Sequence, residues 1–246
     1  MNSKLAIITG ASSGIGEAFA KKLSQRGCDT ILISRNKEKL GRIAQELNHS
    51  YGTSPTILQS DLSQPEGLEK VLDYISQTER VDGLVNNAGF GTHGQFSEVE
   101  IDKSLRMIAL HVTAPTQLSY SVLPKMHQGG FIINVSSLAS LISRTGGVVY
   151  SSTKSYLNDF SRALQREIQD RGISVQALCP GLTHTDFHNT QEFEFREPKV
   201  PELFWMNPEE VAEKSLKNLG KKVIYVPGLM NKLLRAGLAD LISKFT

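Results

Sequence analysis

Short apolar runs alternate with longer stretches of helical spacing along the whole chain. The short runs are Leu5–Ile8, Thr30–Ile33, Thr56–Gln59, Gly83–Val85, Phe131–Val135, Ile173–Leu178 and Val223–Val226. Most are apolar at successive positions, so both faces of each predicted strand are buried, as in the interior of a parallel sheet. Between them lie stretches with apolar residues three and four apart, the mark of helices with one buried face. Ala18, Phe19 and Leu23 define the first, and Leu40, Ile43 and Leu47 place a second over 36–50. A third runs from Pro65 to about Gln77, and a long one from about 98 to 126. Tyr150 opens another, with Leu157, Phe160, Leu164 and Ile168, and a last begins near Pro208. Repeated strand-helix order predicts an α/β fold: a doubly wound parallel sheet of about seven strands, right-handed crossovers, and helices on both faces. No linker, repeat or low-complexity segment divides the chain, so a single domain over 1–246 is expected.

Composition narrows the partners. Hydrophobic residues make up 39% and charged residues 21%, ordinary values for a soluble globular protein. The formal net charge is +2 and no block of Lys and Arg stands out, so no nucleic-acid partner is implied. Cys28 and Cys179 form no C-x-x-C pair and read as reduced thiols in a cytoplasmic protein. The first strand starts by about Leu5, which leaves no room for a signal peptide. No apolar run approaches the ~18 residues of a membrane span. No metal site is expected.

The chemistry gathers at strand ends, the rim where open parallel sheets bind ligands. After the first strand comes Thr9-Gly10-Ala-Ser12-Ser13-Gly14-Ile15-Gly16, then a helix. Its G-x-x-x-G-x-G spacing differs from the common G-x-G-x-x-G, yet the physics is similar: tight turn, close backbone approach, and a helix N-terminus that attracts a pyrophosphate. Ser34 and Arg35 end the second strand, where a carboxylate would bind ribose hydroxyls; arginine there suits a 2′-phosphate, hence NADP(H). Two serines follow the fifth strand, and Tyr150 and Lys154 stand at i and i+4 on one helix face. A serine, a tyrosine and a lysine can converge there on a carbonyl or alcohol oxygen. A neighbouring ammonium would pull the tyrosine hydroxyl toward neutrality, which suits a general acid.

Taken together, these motifs resemble the short-chain dehydrogenase/reductase family, single-domain NADP-dependent type with a Rossmann fold. The likeness covers nearly the whole chain: Thr9–Gly16, Asp61, Asn86-Asn-Ala-Gly89, Ser137, Tyr150-x-x-x-Lys154, and Pro180-Gly181 with Thr185. The family's spacing selects Ser137 over Ser136. The resemblance implies that Tyr150 is the acid/base, that Lys154 binds the nicotinamide ribose, and that Ser137 positions the substrate carbonyl. It implies that Asp61, with Leu62 beside it, meets the adenine, and that Asn87, Ala88 and Gly89 line the cofactor cleft. Pro180, Gly181, Leu182 and Thr185 would flank the nicotinamide. A homo-oligomer is implied on the same ground. One position departs: the family usually has an asparagine in the long fourth helix, and here it is His111. Histidine can donate, accept and titrate, so His111 reads either as a replacement proton relay or as a packed helix histidine.

Residues 186–207 fall where the family places its substrate-covering segment, and they hold Phe187, Phe193, Phe195, Phe204 and Trp205. These aromatics form an apolar lid over a hydrophobic carbonyl or alcohol substrate, or they pack on the sheet rim or another subunit. Met230, Leu234, Leu238, Leu241 and Phe245 fall at nearly helical spacing, suited to a core edge, a subunit interface or a membrane surface. The leading reading is an NADPH-dependent reductase of ketones, aldehydes or 3-oxoacyl compounds. The alternative is a cofactor-binding regulatory protein whose turnover His111 impairs.

Overall fold

The structure, a computed structural model, describes residues 3–92, 94–141, 145–185, 187 and 200–234. Seven parallel strands form one sheet: β1 (Lys4–Thr9), β2 (Cys28–Ser34), β3 (Thr56–Gln59), β4 (Gly83–Asn86), β5 (Phe131–Val135), β6 (Ser174–Leu178) and β7 (Ile224–Tyr225). Their order is β3-β2-β1-β4-β5-β6-β7, so the direction of winding reverses between β1 and β4. The expected seven strands are all present, and the termini move by one or two residues at most.

Successive residues of the strands face opposite helix layers. Ile8, Leu32, Val85 and Ile133 pack with Phe19 and Leu23 of α1 (Gly14–Ser24), Leu40, Ile43 and Leu47 of α2 (Lys37–Tyr51), and Val211 and Leu216 of α7 (Pro208–Lys217). Their neighbours Ile7, Ile31, Leu84 and Ile132 pack with Val71 and Ile75 of α3 (Pro65–Ser76), Leu118 and Val122 of α5 (Ala114–Val122), and Ile168 of α6 (Val148–Ile168). This is why the inner strands β1, β2, β4, β5 and β6 read as nearly unbroken apolar runs, while β3 at the sheet edge is partly exposed. Local signals set the helix ends. Asn36 caps α2 by accepting the Lys39 N–H at 2.9 Å, and Gly52 closes it in the left-handed region. Pro65 opens α3, where its missing N–H costs nothing.

The stretch expected as one helix over about 98–126 is instead interrupted. It comprises α4 (Ile101–Ile108), a single π turn over Ala109–Thr113, α5, and a tight last turn at Leu123–Lys125. Pro115 has no N–H to give the His111 carbonyl, so a regular helix would leave that acceptor unserved. The chain widens there instead, and Thr116 Oγ1 donates to Val112 O at 2.7 Å. After β7 a short helix, α8 (Leu229–Leu233), follows. Leu238, Leu241 and Phe245 of the expected C-terminal helix lie outside the described residues.

Candidate active site

The reversal between β1 and β4 opens a cleft at their C-terminal ends, and backbone lines its near side. Gly10 and Gly14 adopt φ of 63° and 58°, conformations that disfavour any side chain. A Cβ on Gly16 would lie 2.2 Å from Gly10 O and 2.5 Å from Asn87 Nδ2. The seam is locked by polar contacts. Asn87 Nδ2 donates to Thr9 O at 3.0 Å and Gly10 O at 3.1 Å, while Thr9 Oγ1 accepts the N–H groups of Asn87 and Ala88 at 2.9 Å each. Ser13 starts α1 without spending its hydroxyl on a cap. Ser12 and Ile15 complete the turn, partly exposed. The turn is bare of side chains where Gly10, Gly14 and Gly16 stand and opens on a helix N-terminus with no side-chain cap bond, so the residues fit the pyrophosphate of a dinucleotide.

Flanking residues follow the same rim. Ser34 and the exposed Arg35 end β2, and Ser34 Oγ accepts the Asn36 N–H at 3.2 Å. Gln59 Nε2 holds the Arg35 carbonyl at 3.1 Å. Asp61 Oδ1 accepts from Ser63 N at 3.0 Å and Ser63 Oγ at 2.7 Å, which orients the loop after β3, with Leu62 buried beneath it. Opposite the glycine turn, a Cβ on Gly14 would meet Thr185 Cγ2 at 2.8 Å. Pro180 is buried, and Gly181 sits so close to Asn231 of α8 that a Cβ would fall 2.2 Å from its Oδ1. Leu182 accepts the Met206 N–H at 3.0 Å through its carbonyl.

Across the cleft, Ser137, Tyr150 and Lys154 converge. Ser137 follows β5, and its Oγ accepts the Ala139 N–H at 3.1 Å; the same hydroxyl is near enough to Tyr150 to bear on its proton affinity. Lys154 is 4% exposed; its Nζ donates to Val135 O at 2.8 Å and lies 5.9 Å from the Tyr150 ring centroid. Burial drives the lysine down to about 7. Burial also raises the tyrosine above its ordinary value, against the opposing pull of the Ser137 hydroxyl. The lowering of Tyr150 expected from its sequence neighbour is therefore absent. Desolvation dominates, and a lysine near 7 is only partly charged at neutral pH.

His111 sits in the π turn, 1% exposed. Its Nε2 accepts the Phe90 N–H at 3.2 Å, and its Nδ1 lies 3.0 Å from Thr153 Oγ1. Its ring meets Tyr150 edge-on, centroids 5.9 Å apart. Burial, then Lys154, holds the imidazole well below its usual range.

Some of the expected lid is described. The Phe187 ring lies 6.1 Å from that of Tyr150, so one aromatic does reach the site. Phe204 is half-buried, and Trp205 stacks on His184 at 4.9 Å, while His184 Nε2 meets Glu202 Oε1 at 2.8 Å. Thr183 pairs with Met206, so the two ends of this segment are joined. Phe193 and Phe195 lie outside the described residues. Among the described residues no cluster could hold a metal ion.

Several supporting residues escaped the sequence reading. Ser140 donates to the Ser137 carbonyl, Asn158 Nδ2 donates to Ser140 Oγ at 2.7 Å, and Ser136 Oγ donates to Lys154 O at 2.8 Å. Leu138 N–H is held by Pro180 O at 2.8 Å, which ties the serine loop to the end of β6. Asn158 was detectable in principle: it stands four residues after Lys154, a polar residue on the same helix face.

Comparison with known proteins agrees with this geometry. The sequence matches the short chain dehydrogenase family over residues 4–194. It is 32% identical to the uncharacterized oxidoreductase YmfI of Bacillus subtilis, covering 92% of this chain and 95% of that one. It is 32% identical to the very-long-chain 3-oxoacyl-CoA reductase of Anas platyrhynchos, covering 81% of this chain and 65% of the other. A short-chain dehydrogenase of Sphingobium yanoikuyae, solved in complex with NADPH, superposes with a TM-score of 0.83 at 29% identity, covering 99% and 96% of the two chains.

Proposed function

The chain belongs to the short-chain dehydrogenase/reductase family, an oxidoreductase family acting on CH–OH groups, and from that premise we propose that it reduces a hydrophobic ketone, aldehyde or 3-oxoacyl compound with NADPH. The observation that carries this is the gathering of Ser137, Tyr150 and a buried lysine across the cleft from a glycine cradle. The cofactor, when bound over Gly10–Gly16, supplies the hydride. Ser137 Oγ and the Tyr150 hydroxyl converge on the substrate oxygen. Ser137 orients it, and Tyr150 gives it the proton that completes the alcohol. The raised tyrosine stays protonated through neutral pH, the form in which it can give a proton. Lys154 stands next to that hydroxyl, where a cofactor ribose would share its Nζ.

NADP(H) is favoured by the exposed Arg35 at the end of β2, and Ser34 leaves no carboxylate to repel a 2′-phosphate. Asp61, Asn87, Ala88, Gly89, Pro180, Gly181, Leu182 and Thr185 complete the cofactor's surroundings. A hydrophobic substrate is favoured by Phe187 beside Tyr150, with Phe204 and Trp205 at the base of the same segment, and by the acyl substrate named in the duck relative. Ile101, Leu105 and Ile108, exposed at 62%, 54% and 39% on one face of α4, fit a homo-oligomer. Cys28 and Cys179, buried and not joined, fit a reducing cytoplasm. No helix among the described residues is long and apolar enough to cross a membrane.

The test is NADPH oxidation against ketones, aldehydes and 3-oxoacyl thioesters of graded chain length. kcat/KM is expected to rise with length, and Phe187→Ala to flatten the rise. Small hydrophilic ketones reacting best would remove the hydrophobic assignment. NADPH binding without turnover of any carbonyl would favour the regulatory reading instead.

A further inference from the structure

His111 is the one residue of the cluster held on both sides by groups that do not titrate near neutrality. The Phe90 amide can only donate, so Nε2 must accept, and a neutral ring then carries its single proton on Nδ1. That proton faces Thr153 Oγ1 at 3.0 Å, while the threonine's own hydroxyl proton goes to Tyr150 O at 2.9 Å. Donors and acceptors run in one consistent chain: Phe90 amide to His111, His111 to Thr153, Thr153 to the backbone of Tyr150. A second proton on the ring would point at an N–H donor, and the titratable groups facing it, Lys154 and Tyr150, offer no anion at neutral pH. Gly89 permits the approach, since a Cβ there would lie 2.7 Å from Nε2 and 3.5 Å from Lys154 Nζ. From the π turn the imidazole bonds the loop after β4 on one side and α6 on the other.

We propose that His111 is a positioning residue: a neutral, permanently Nδ1-protonated bridge that fixes the Asn87–Phe90 loop of the cofactor cleft against the helix bearing Tyr150 and Lys154. It acts through geometry, by holding the tyrosine hydroxyl in register with the cleft, and it passes no proton. A shift of about 1 Å in such a group costs on the order of 10²-fold in rate.

Long-range ¹H–¹⁵N correlation of the imidazole rings tests the tautomer without any substrate. His111, identified by its loss in His111→Gln, is expected to show a bare Nε2 and a protonated Nδ1, unchanged from about pH 6 to 9. Titration in that range, or a proton on Nε2, would overturn the bridge and restore the relay. The kinetic arm rests on the reductase reading. His111→Phe keeps a ring but neither bond, and should lower kcat about 10²-fold with the KM for NADPH changed less than about threefold. His111→Gln, which can accept from Phe90 and donate to Thr153, should recover most of that loss. Thr153→Val should match His111→Phe, Thr153→Ser should recover, and the double variant His111→Phe/Thr153→Val should be no slower than either single one. Additive losses, or a phenylalanine variant as fast as the unmodified protein, would sink the proposal. Should His111→Phe fail to fold, the Thr153 pair decides. Should no carbonyl compound be reduced, the reductase reading fails while the NMR result still decides the bridge.

Discussion

Backbone builds one wall of the cleft and side chains build the other. At the β1–β4 seam, Gly10, Gly14 and Gly16 clear space, and the bonds that lock the seam run between residues adjacent to the turn and Asn87. Opposite, Ser137, Tyr150, Lys154 and His111 come from β5's end, α6 and a π turn, and Lys154 and His111 are fixed by bonds to other elements. The first wall depends on steric absence and tolerates no added atom. The second depends on desolvated polar groups, and burial is the largest cause that moves its lysine to about 7 and its tyrosine upward. Recognition therefore rests on shape on one side, and reactivity on dielectric on the other.

Four substitutions test that division. Tyr150→Phe removes the proton donor and should lower kcat by roughly 10²–10⁴-fold. NADPH affinity by fluorescence titration should stay within about threefold, because the glycine wall is untouched. A kcat near that of the unmodified protein would move the acid role elsewhere. Gly16→Ala should do the reverse. Its Cβ would fall 2.2 Å from Gly10 O, and overpacking of this kind costs about 1–3 kcal/mol, so NADPH binding should weaken about 10–100-fold. Unaltered binding would mean that the turn relaxes freely.

Arg35→Ala should raise the KM for NADPH about tenfold or more and leave that for NADH nearly unchanged, since a charge-assisted bond to a phosphate is worth about 1.5–3 kcal/mol. Equal use of both cofactors by the unmodified protein would remove the NADP assignment.

The smallest effect concerns stability. Lys154 is buried, with its folded value lowered to about 7 from 10.5, so the unfolded chain holds the proton more tightly. The charge penalty is complete below pH 7 and fades as pH rises toward 10.5. Lys154→Met should abolish activity yet stabilise the cofactor-free protein by about 1–2 kcal/mol at pH 6, with the gain shrinking at pH 9. Calorimetry at both values checks this. A loss of stability that does not depend on pH would mean that the bond to Val135 O outweighs the buried charge.

Much of this protein was legible in one dimension. Strands buried on both faces leave apolar runs, which placed the inner strands, and the strand-helix alternation placed the edge strands and implied the parallel direction. The glycine turn was legible because glycine is the residue that adopts the left-handed conformation of Gly10 and Gly14 at least cost. Tyr150 and Lys154 were legible because helical spacing puts i and i+4 together. What tertiary structure alone decided is everything that depends on who lies across a gap. Whether a lysine raises or lowers its neighbour's proton affinity depends on burial, which spacing does not carry, and here desolvation reversed the expected direction for Tyr150. The break at Ala109–Thr113 depended on a proline whose missing donor could have ended the helix as easily as widened it. Histidine at 111 was visible as a letter, but its protonation is set by an amide 21 residues away and a threonine 42 residues away. Local chemistry fixes which conformations a segment can adopt; only packing fixes which partners its polar atoms meet, and those partners set proton affinity.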